Sequence, residues 1–212
     1  MLVFDSKNKD HIIKCGELIR NGGIIVFPTD TIYGLGCDPY NNRAVEKIFQ
    51  IKKRTKDKPL PLLTSDIKSA EKIISFNDIG RKLAEHFWPG PLTIIGKLID
   101  NKISEVITAG KQTLGMRIPN NTDTLNLLNY CNVLSGTSAN ISNDNSNSTA
   151  IEVMNSKLVG YDAILIGDDS KPRNPFSFKG STIIDITSNE VQIIRQGVIK
   201  SETIYEILKQ YK

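Results

Sequence analysis

Ile24-Ile25-Val26-Phe27, followed by Pro28-Thr29-Asp30-Thr31-Ile32-Tyr33-Gly34-Leu35-Gly36, reads as a buried strand running into a turn rich in hydroxyls and backbone amides. The apolar run is bounded by Gly22-Gly23 and Pro28 and is too short for a helix. Ligands of open α/β sheets sit at such strand ends. A helix from Ala44 to about Ile51 follows, with Val45, Ile48 and Phe49 at i, i+3, i+4 spacing. It delivers five cations within seven residues (Lys52, Lys53, Arg54, Lys56 and Lys58) before Pro59 turns the chain into a second apolar strand, Leu60 to Leu63. A charge run is ordinarily a solvated helix face; strands on both sides hold this one near the sheet. Lys52 continues the buried stripe at the helix C-terminus, where the dipole favours a cation with or without a ligand. A structural role and a ligand role both stand for it.

The totals narrow the class. At 212 residues one domain, 1–212, is the expectation. Hydrophobic content of 39% and charged content of 24% describe a globular chain, and 27 Lys and Arg against 23 Asp and Glu leave a mild +4. That charge is compatible with ATP or RNA and specifies neither. No apolar run reaches the ~20 residues of a membrane span, and Met1-Leu2-Val3-Phe4-Asp5 lacks a secretory pattern. Cys15, Cys37 and Cys131 are odd in number and scattered, so buried thiols in a reducing, cytoplasmic setting are expected. With His11 and His86 the only histidines, a dedicated metal site or a histidine triad has little to draw on.

Outward from the opening stretch, a helix from about Asp10 to Arg20 is capped by Ser6 or Asn8 and stopped by Asn21-Gly22-Gly23. His11 lies in its first turn and reads as structural. Helices are expected over Ser65 to Ile73 and Asp78 to Phe87, then the corner Trp88-Pro89-Gly90-Pro91 leading into the strand Ile94-Ile95. Trp88 reads as a packing anchor, and Gly90 to Lys97 fails as a phosphate loop because its spacing is wrong and Leu98 replaces the hydroxyl. Leu114 to Pro119 is a strand carrying Arg117, a cation that needs an internal carboxylate or a cavity. A helix capped near Asn121 or Thr122 precedes the strand Val133-Leu134-Ser135, which emerges into Thr137-Ser138-Ala139-Asn140. Asn143 to Ser148 reads as a loop before a helix starting near Thr149. Strands at 161–166, 181–186 and 191–197 and a helix from Ser201 to Leu208 complete the chain, with a Pro-containing connection from Asp168 to Lys179.

The cations Lys52, Arg54, Lys58, Arg117 and Arg195, with Thr31, Ser138, Asn140, Ser181 and Thr182 at strand ends, form a set rich in charge and hydroxyls but poor in acid–base pairs. Such a set suits phosphoryl or nucleotidyl transfer, where catalysis is mostly positioning and charge neutralisation. Pro28 to Gly36, Lys52-x-Arg54 with Lys58-Pro59-Leu60, Phe87 to Thr93, Arg117-Ile118-Pro119, Thr137-Ser138-Ala139-Asn140, Gly180-Ser181-Thr182 and Arg195-Gln196-Gly197, in this order over roughly residues 10 to 200, resemble the YrdC family. The resemblance implies an α/β fold, a twisted mixed parallel and antiparallel sheet with flanking helices around a deep basic cavity. It also implies synthesis of L-threonylcarbamoyl-AMP from L-threonine, bicarbonate and ATP, with Mg2+ as companion, for adenosine 37 of tRNA. The family tetrad falls on Lys52, Arg54, Ser138 and Asn140. By resemblance Lys52 and Arg54 are catalytic, and Thr31, Arg117 and Ser181 hold threonine. Arg54, Lys58, Thr113, Ser138, Asn140, Ser148 and Arg195 hold ATP, with no protein metal ligand.

Two positions depart from the family pattern. Leu63 stands where a histidine is usual and can neither donate nor accept, as in the YciO-like branch; Asn143 replaces a glycine. The chain is expected to lack the extra C-terminal domain of the long form. Its expected partners are a downstream threonylcarbamoyl transferase complex and possible tRNA contact, and no membrane. The alternatives are a non-catalytic tRNA- or double-stranded-RNA-binding protein, or a relative that forms carbamoyl-AMP.

Overall fold

The computed structural model describes residues 1–168, 179–188 and 190–210. Most of the Pro-containing connection, residues 169–178, lies outside them. Twelve strands among these residues form two sheets. The first has the order β1 (Leu2–Asp5), β10 (Ala163–Ile166), β2 (Ile25–Phe27), β3 (Gly34–Gly36) and β9 (Thr137–Ser138). The second runs β12 (Gln192–Arg195), β11 (Thr182–Asp185), β6 (Leu92–Leu98), β7 (Thr113–Arg117), β4 (Leu62–Thr64) and β8 (Val133–Ser135), with β5 (Ile74–Ser75) paired to β6. Both are mixed: β1, β10 and β2 are parallel while β3 is antiparallel to β2 and β9, and β6 is parallel to β11 but antiparallel to β7.

Helices α1 (Lys9–Arg20), α2 (Asn42–Lys52), α3 (Ile67–Glu71), α4 (Asp78–Phe87), α5 (Glu105–Thr108), α6 (Thr122–Cys131), α7 (Ala150–Met154) and α8 (Ser201–Lys209) flank the sheets. Their starts follow local chemistry. Asn8, Asn41, Asn77 and Asn121 each accept a first-turn backbone N–H, and Thr149 with Glu152 forms a capping box. The long helix expected over residues 65–73 is shorter: Asp66 caps α3, and the chain straightens at Ile74 to pair with Leu98. The expected turn over residues 28–36 also ends early, because Gly34-Leu35-Gly36 pairs with both Phe27 and Ser138 as a strand. Among the described residues no helix is long and apolar enough to cross a membrane.

The sheets meet where β3 passes β8. Ser135 N donates to Cys37 O, and a Cβ on Gly36 would lie 2.0 Å from Ser135 O, so only glycine allows that approach. The chain crosses from the second sheet to the first at Gly136, between β8 and β9. One apolar cluster includes residues of both sheets, among them Val26, Leu35, Leu62, Ile94, Met116 and Ile184. Trp88 is the packing anchor expected: its Nε1 donates to Leu92 O at 2.7 Å and its ring meets Phe76 edge-on. His11 is structural, its Nδ1 accepting from Asp5 N at 3.0 Å beside the Phe4 ring. Cys15 and Cys37 are buried, Cys131 is half-buried, and burial pushes all three thiols up to about 12.

Candidate functional site

Strand register builds one wall of the site. Leu63 is opposite Arg117, Thr93 is one step beyond the Ile94–Met116 pair and so also opposite Arg117, Ile183 is opposite Thr93, and Arg195 is opposite Ile183. Side chains in such a cross-strand row share a face. All five line a cleft of about 260 Å3. Their neighbours one position along, Leu62, Ile94, Met116 and Ile184, point the other way and are fully buried. The cleft is closed from the first sheet by Phe27, Thr29, Thr31, Tyr33 and Ser138. A second cavity of about 130 Å3 is lined by Lys52, Lys53, Arg54, Lys58, Ser138, Asn140 and Ser142. Arg54 and Ser138 line both, so the two spaces adjoin across that pair.

The tetrad residues meet through backbone as much as side chain. Helix α2 ends with Lys53 in the left-handed region at φ 49, while Lys53 N donates to Gln50 O and Arg54 N to Phe49 O. This hydrogen-bonded end turns the chain without a glycine, at a cost of about 1–2 kcal/mol for a non-glycine residue. It leaves Lys52 pointing inward and Arg54 in the cleft. Lys52 is 1% exposed, and its Nζ donates to Ser138 O, to Asn140 O at 2.7 Å and to Asn140 Oδ1 at 3.4 Å. Its own carbonyl accepts from Ser142 N at 2.9 Å. Burial, and secondarily Arg54, lowers its pKa to about 7. Lys52 is therefore the clasp of the 138–142 loop, with its hydrogens directed at carbonyl oxygens. Asn140 Nδ2 donates to Asp144 O at 2.6 Å and extends the same bracing.

Arg117 has the internal carboxylate partner left open by the sequence: Nη2 donates to Asp30 Oδ1 at 2.6 Å, with side-chain exposures of 8% and 13%. Its Nε donates to Gly90 O at 3.0 Å and its Nη1 to Thr31 Oγ1 at 3.2 Å. Asp30 is not among the lining residues, so it braces the guanidinium from outside the cleft; two of five N–H groups stay uncommitted. Arg195 Nη2 donates to Ser181 O at 2.7 Å, and Ser181 Oγ pairs with Thr93 Oγ1 at 2.8 Å. Arg54 is tethered by Nε to Lys58 O and Nη2 to Pro59 O. Burial and then Arg117 lower the pKa of Arg195; burial lowers that of Arg54, with Arg195 adding to it against Asp57. No carboxylate lines either cavity among the described residues. Arg54, Arg195 and the two uncommitted N–H groups of Arg117, whose charge Asp30 balances from outside the cleft, turn hydrogen-bond donors toward a space that no carboxylate lines among the described residues.

Nine of the expected site residues are thus brought together: Thr31, Lys52, Arg54, Lys58, Arg117, Ser138, Asn140, Ser181 and Arg195. Thr113 and Ser148 line neither cavity. Thr113 begins β7, four residues and roughly 13 Å along the strand from Arg117. The backbone N–H of Ser148 donates to Glu152 Oε2 beside the start of α7. Thr93 and Asp30 were missed. Thr93 carried the same signal as Arg117, a polar residue in an apolar strand; Asp30 lay in the opening motif with no partner visible. Among the described residues no group of three or more His, Cys, Asp or Glu is placed to hold a metal ion. The donors around the cavities are cations, hydroxyls and amides, a set that suits an anion and does not fit a resident magnesium.

Mixed sheets flanked by helices define the class as a mixed-sheet α/β protein whose cleft, over one sheet face, is lined by cations and hydroxyls. The sequence matches the family described as Telomere recombination (Sua5/YciO/YrdC) over residues 17–197. The chain belongs to the Sua5/YciO/YrdC family. A Methanocaldococcus jannaschii protein, provisionally named a threonylcarbamoyl-AMP synthase, is 35% identical over 183 residues, 85% of this chain and 83% of that one. The crystal structure of Pyrococcus abyssi Sua5 complexed with L-threonine superposes with a TM-score of 0.88 at 28% identity, covering 98% of this chain. This chain spans 60% of that one. Escherichia coli YciO shares the fold with a TM-score of 0.79 at 24% identity, covering 96% of this chain and 98% of that chain.

Proposed function

We propose that this chain is an L-threonylcarbamoyladenylate synthase that joins L-threonine, bicarbonate and ATP into threonylcarbamoyl-AMP and pyrophosphate. The observation that carries the reading is the pair of adjoining cavities, one beside Arg117 and one beside Lys58, which share Arg54 and Ser138. The name of the Methanocaldococcus relative and the threonine bound to Pyrococcus Sua5 support the substrate class.

The reaction divides between the two spaces. The amine of threonine adds to carbon dioxide from bicarbonate and loses a proton, giving a carbamate. A carbamate oxygen then attacks the α-phosphorus, and the bond to the β-phosphate oxygen breaks to release pyrophosphate. In this reading Thr31, Arg117 and Ser181 hold threonine, the uncommitted N–H groups of Arg117 pairing with its carboxylate. Arg54, Arg195, Ser138 and Asn140 neutralise and orient the phosphates at the junction, and Lys58 meets the departing pyrophosphate. Thr113 and Ser148 would contribute to ATP binding only from the margins. Lys52 serves catalysis by holding the loop that presents Ser138. Fixed cations aimed at developing negative charge act without reorganisation at the moment of reaction. Magnesium enters as the counter-ion of ATP. A single domain, 1–212, would carry the reaction in the cytoplasm, with a tRNA-directed threonylcarbamoyl transferase as the consumer of the product.

The test is to incubate the protein with ATP and bicarbonate, with and without L-threonine, and to identify the nucleotide product by mass. The expected result is threonylcarbamoyl-AMP only when threonine is present. A product that forms without threonine, as in a carbamoyl-AMP-forming relative, or RNA binding with no nucleotide product, would overturn the proposal.

A further inference from the structure

We infer that Asn147 is a positioning residue of the site, holding the one carbonyl of the Ser138–Asn140 segment that Lys52 leaves. The inference rests on the function proposed above and adds to it a residue outside the family tetrad. Residues 143–148 read from the sequence as a loop, and the structure makes the end of that loop part of the cleft wall. Ser146 lines the first cleft, and Asn147 beside it closes a ring of three hydrogen bonds. Tyr33 N donates to Asn147 O at 2.9 Å, Asn147 Nδ2 donates to Ala139 O at 2.6 Å, and Ala139 N donates to Tyr33 O at 2.8 Å. Asn140 Nδ2 in turn donates to Asp144 O, so loop and segment are tied at two points.

The ring lies where the ladder between β3 and β9 ends. Gly34 opposite Ser138 is the last register pair, and the bond from Ala139 to Tyr33 carries the ladder one step further. Lys52 Nζ takes the carbonyls of Ser138 and Asn140, and Asn147 Nδ2 takes that of Ala139 between them. Three successive carbonyls are thus held by donors from α2 and from the loop before α7. Ala139 is fully buried, so water does not replace a lost donor there. Two of the three ring bonds join backbone to backbone and survive any substitution at 147. The third belongs to the Asn147 amide alone. Its loss frees Ala139 O while the loop stays attached, and the displacement falls on Ser138, which lines both cavities, and on Asn140, which lines the second. Arg117 is braced separately by Asp30 and by Gly90 O, so the amino-acid end of the site does not depend on this ring. Misplacing a binding group by about 1 Å costs a reaction up to about 10²-fold.

The experiment compares the native protein with Asn147→Ala and with Asn147→Leu, which fills the space of the amide without its donor. Steady-state kinetics should show kcat/KM for ATP at least about tenfold lower in both variants, with KM for threonine unchanged. A role in stability alone would lower Tm and leave that split absent. Titration calorimetry with inorganic pyrophosphate needs no turnover, and binding should weaken about tenfold in the same variants. Native kcat/KM for ATP and native pyrophosphate binding in both variants would overturn the inference and leave the function standing. So would a loss shared equally between ATP and threonine. Weakened pyrophosphate binding in the variants of a protein whose native form makes no threonylcarbamoyl-AMP would support the positioning role and overturn the function. A native protein that neither binds pyrophosphate nor forms the product would overturn both.

Discussion

Replacing Lys52 with methionine keeps the apolar stem in place and removes the amino group with its N–H donors, so its effect reports on the clasp. In the native protein Nζ satisfies Ser138 O and Asn140 O, both on the loop that carries the cleft's hydroxyl and amide. A carbonyl stranded by loss of its donor costs about 1–3 kcal/mol, and the low end applies here because the loop borders a cleft that water can enter. Two such carbonyls give a loss of about 2–3 kcal/mol. For a chain of this size that lowers Tm by about 4–12 °C, and it leaves a folded protein because native domains hold about 5–15 kcal/mol. Displacement of Ser138 and Asn140 should also lower pyrophosphate release at least about tenfold, equivalent to 1.4 kcal/mol at the transition state. Urea unfolding, thermal melting and a pyrophosphate-release assay measure the three effects. A Lys52→Met protein with native Tm and native turnover would refute the clasp.

The same lysine sets a pH dependence. Its pKa falls from 10.5 to about 7 on folding, so between those values the unfolded chain holds the extra proton and stability rises with pH, by up to about 1.4 kcal/mol per unit. The clean window is about pH 7 to 9, because the buried thiols, raised from 9.0 to about 12, make stability fall above it. Urea titrations should show the rise in the native protein and not in Lys52→Met. Arg195→Ala removes one charged contact and should cost about 1.5–3 kcal/mol of transition-state binding, roughly 10- to 150-fold in kcat/KM, with far-UV spectra unchanged; native kinetics would remove Arg195 from the site. Asp30→Asn frees the Arg117 fork from its brace and should raise KM for the amino acid several-fold while KM for ATP stays constant, a split that steady-state kinetics resolves. Gly36→Ala places a methyl 2.0 Å from Ser135 O and should cost more than about 2 kcal/mol, read as a lower urea midpoint.

The parts of the fold legible in the sequence are those decided by neighbours in the chain. Asn8, Asn121 and Thr149 are short-range caps, and the helices they begin were readable to within a residue or two. Gly34-Leu35-Gly36, Ile74-Ser75 and Thr137-Ser138 are strands only because distant segments pair with them, and two glycines in three residues favour a turn in isolation. The site divides in the same way. Family resemblance placed Lys52, Arg54, Ser138 and Asn140 together and made Lys52 catalytic, but it did not show that the Lys52 hydrogens point to loop carbonyls. Asp30 and Arg117 are 87 positions apart, and nothing local announces their bond. The alignment of Leu63, Thr93, Arg117, Ile183 and Arg195 depends on register across five strands, which residue patterns alone do not fix.

Capture of the protein in a crystal with L-threonine and an unreactive ATP analogue tests directly whether the adjoining cavities are one reaction chamber. The expected complex has the threonine carboxylate on Arg117, the α-phosphate between Arg54 and Ser138, and the terminal phosphates beside Lys58. A triphosphate bound elsewhere on the molecule, or a threonine out of reach of the α-phosphorus, would contradict it.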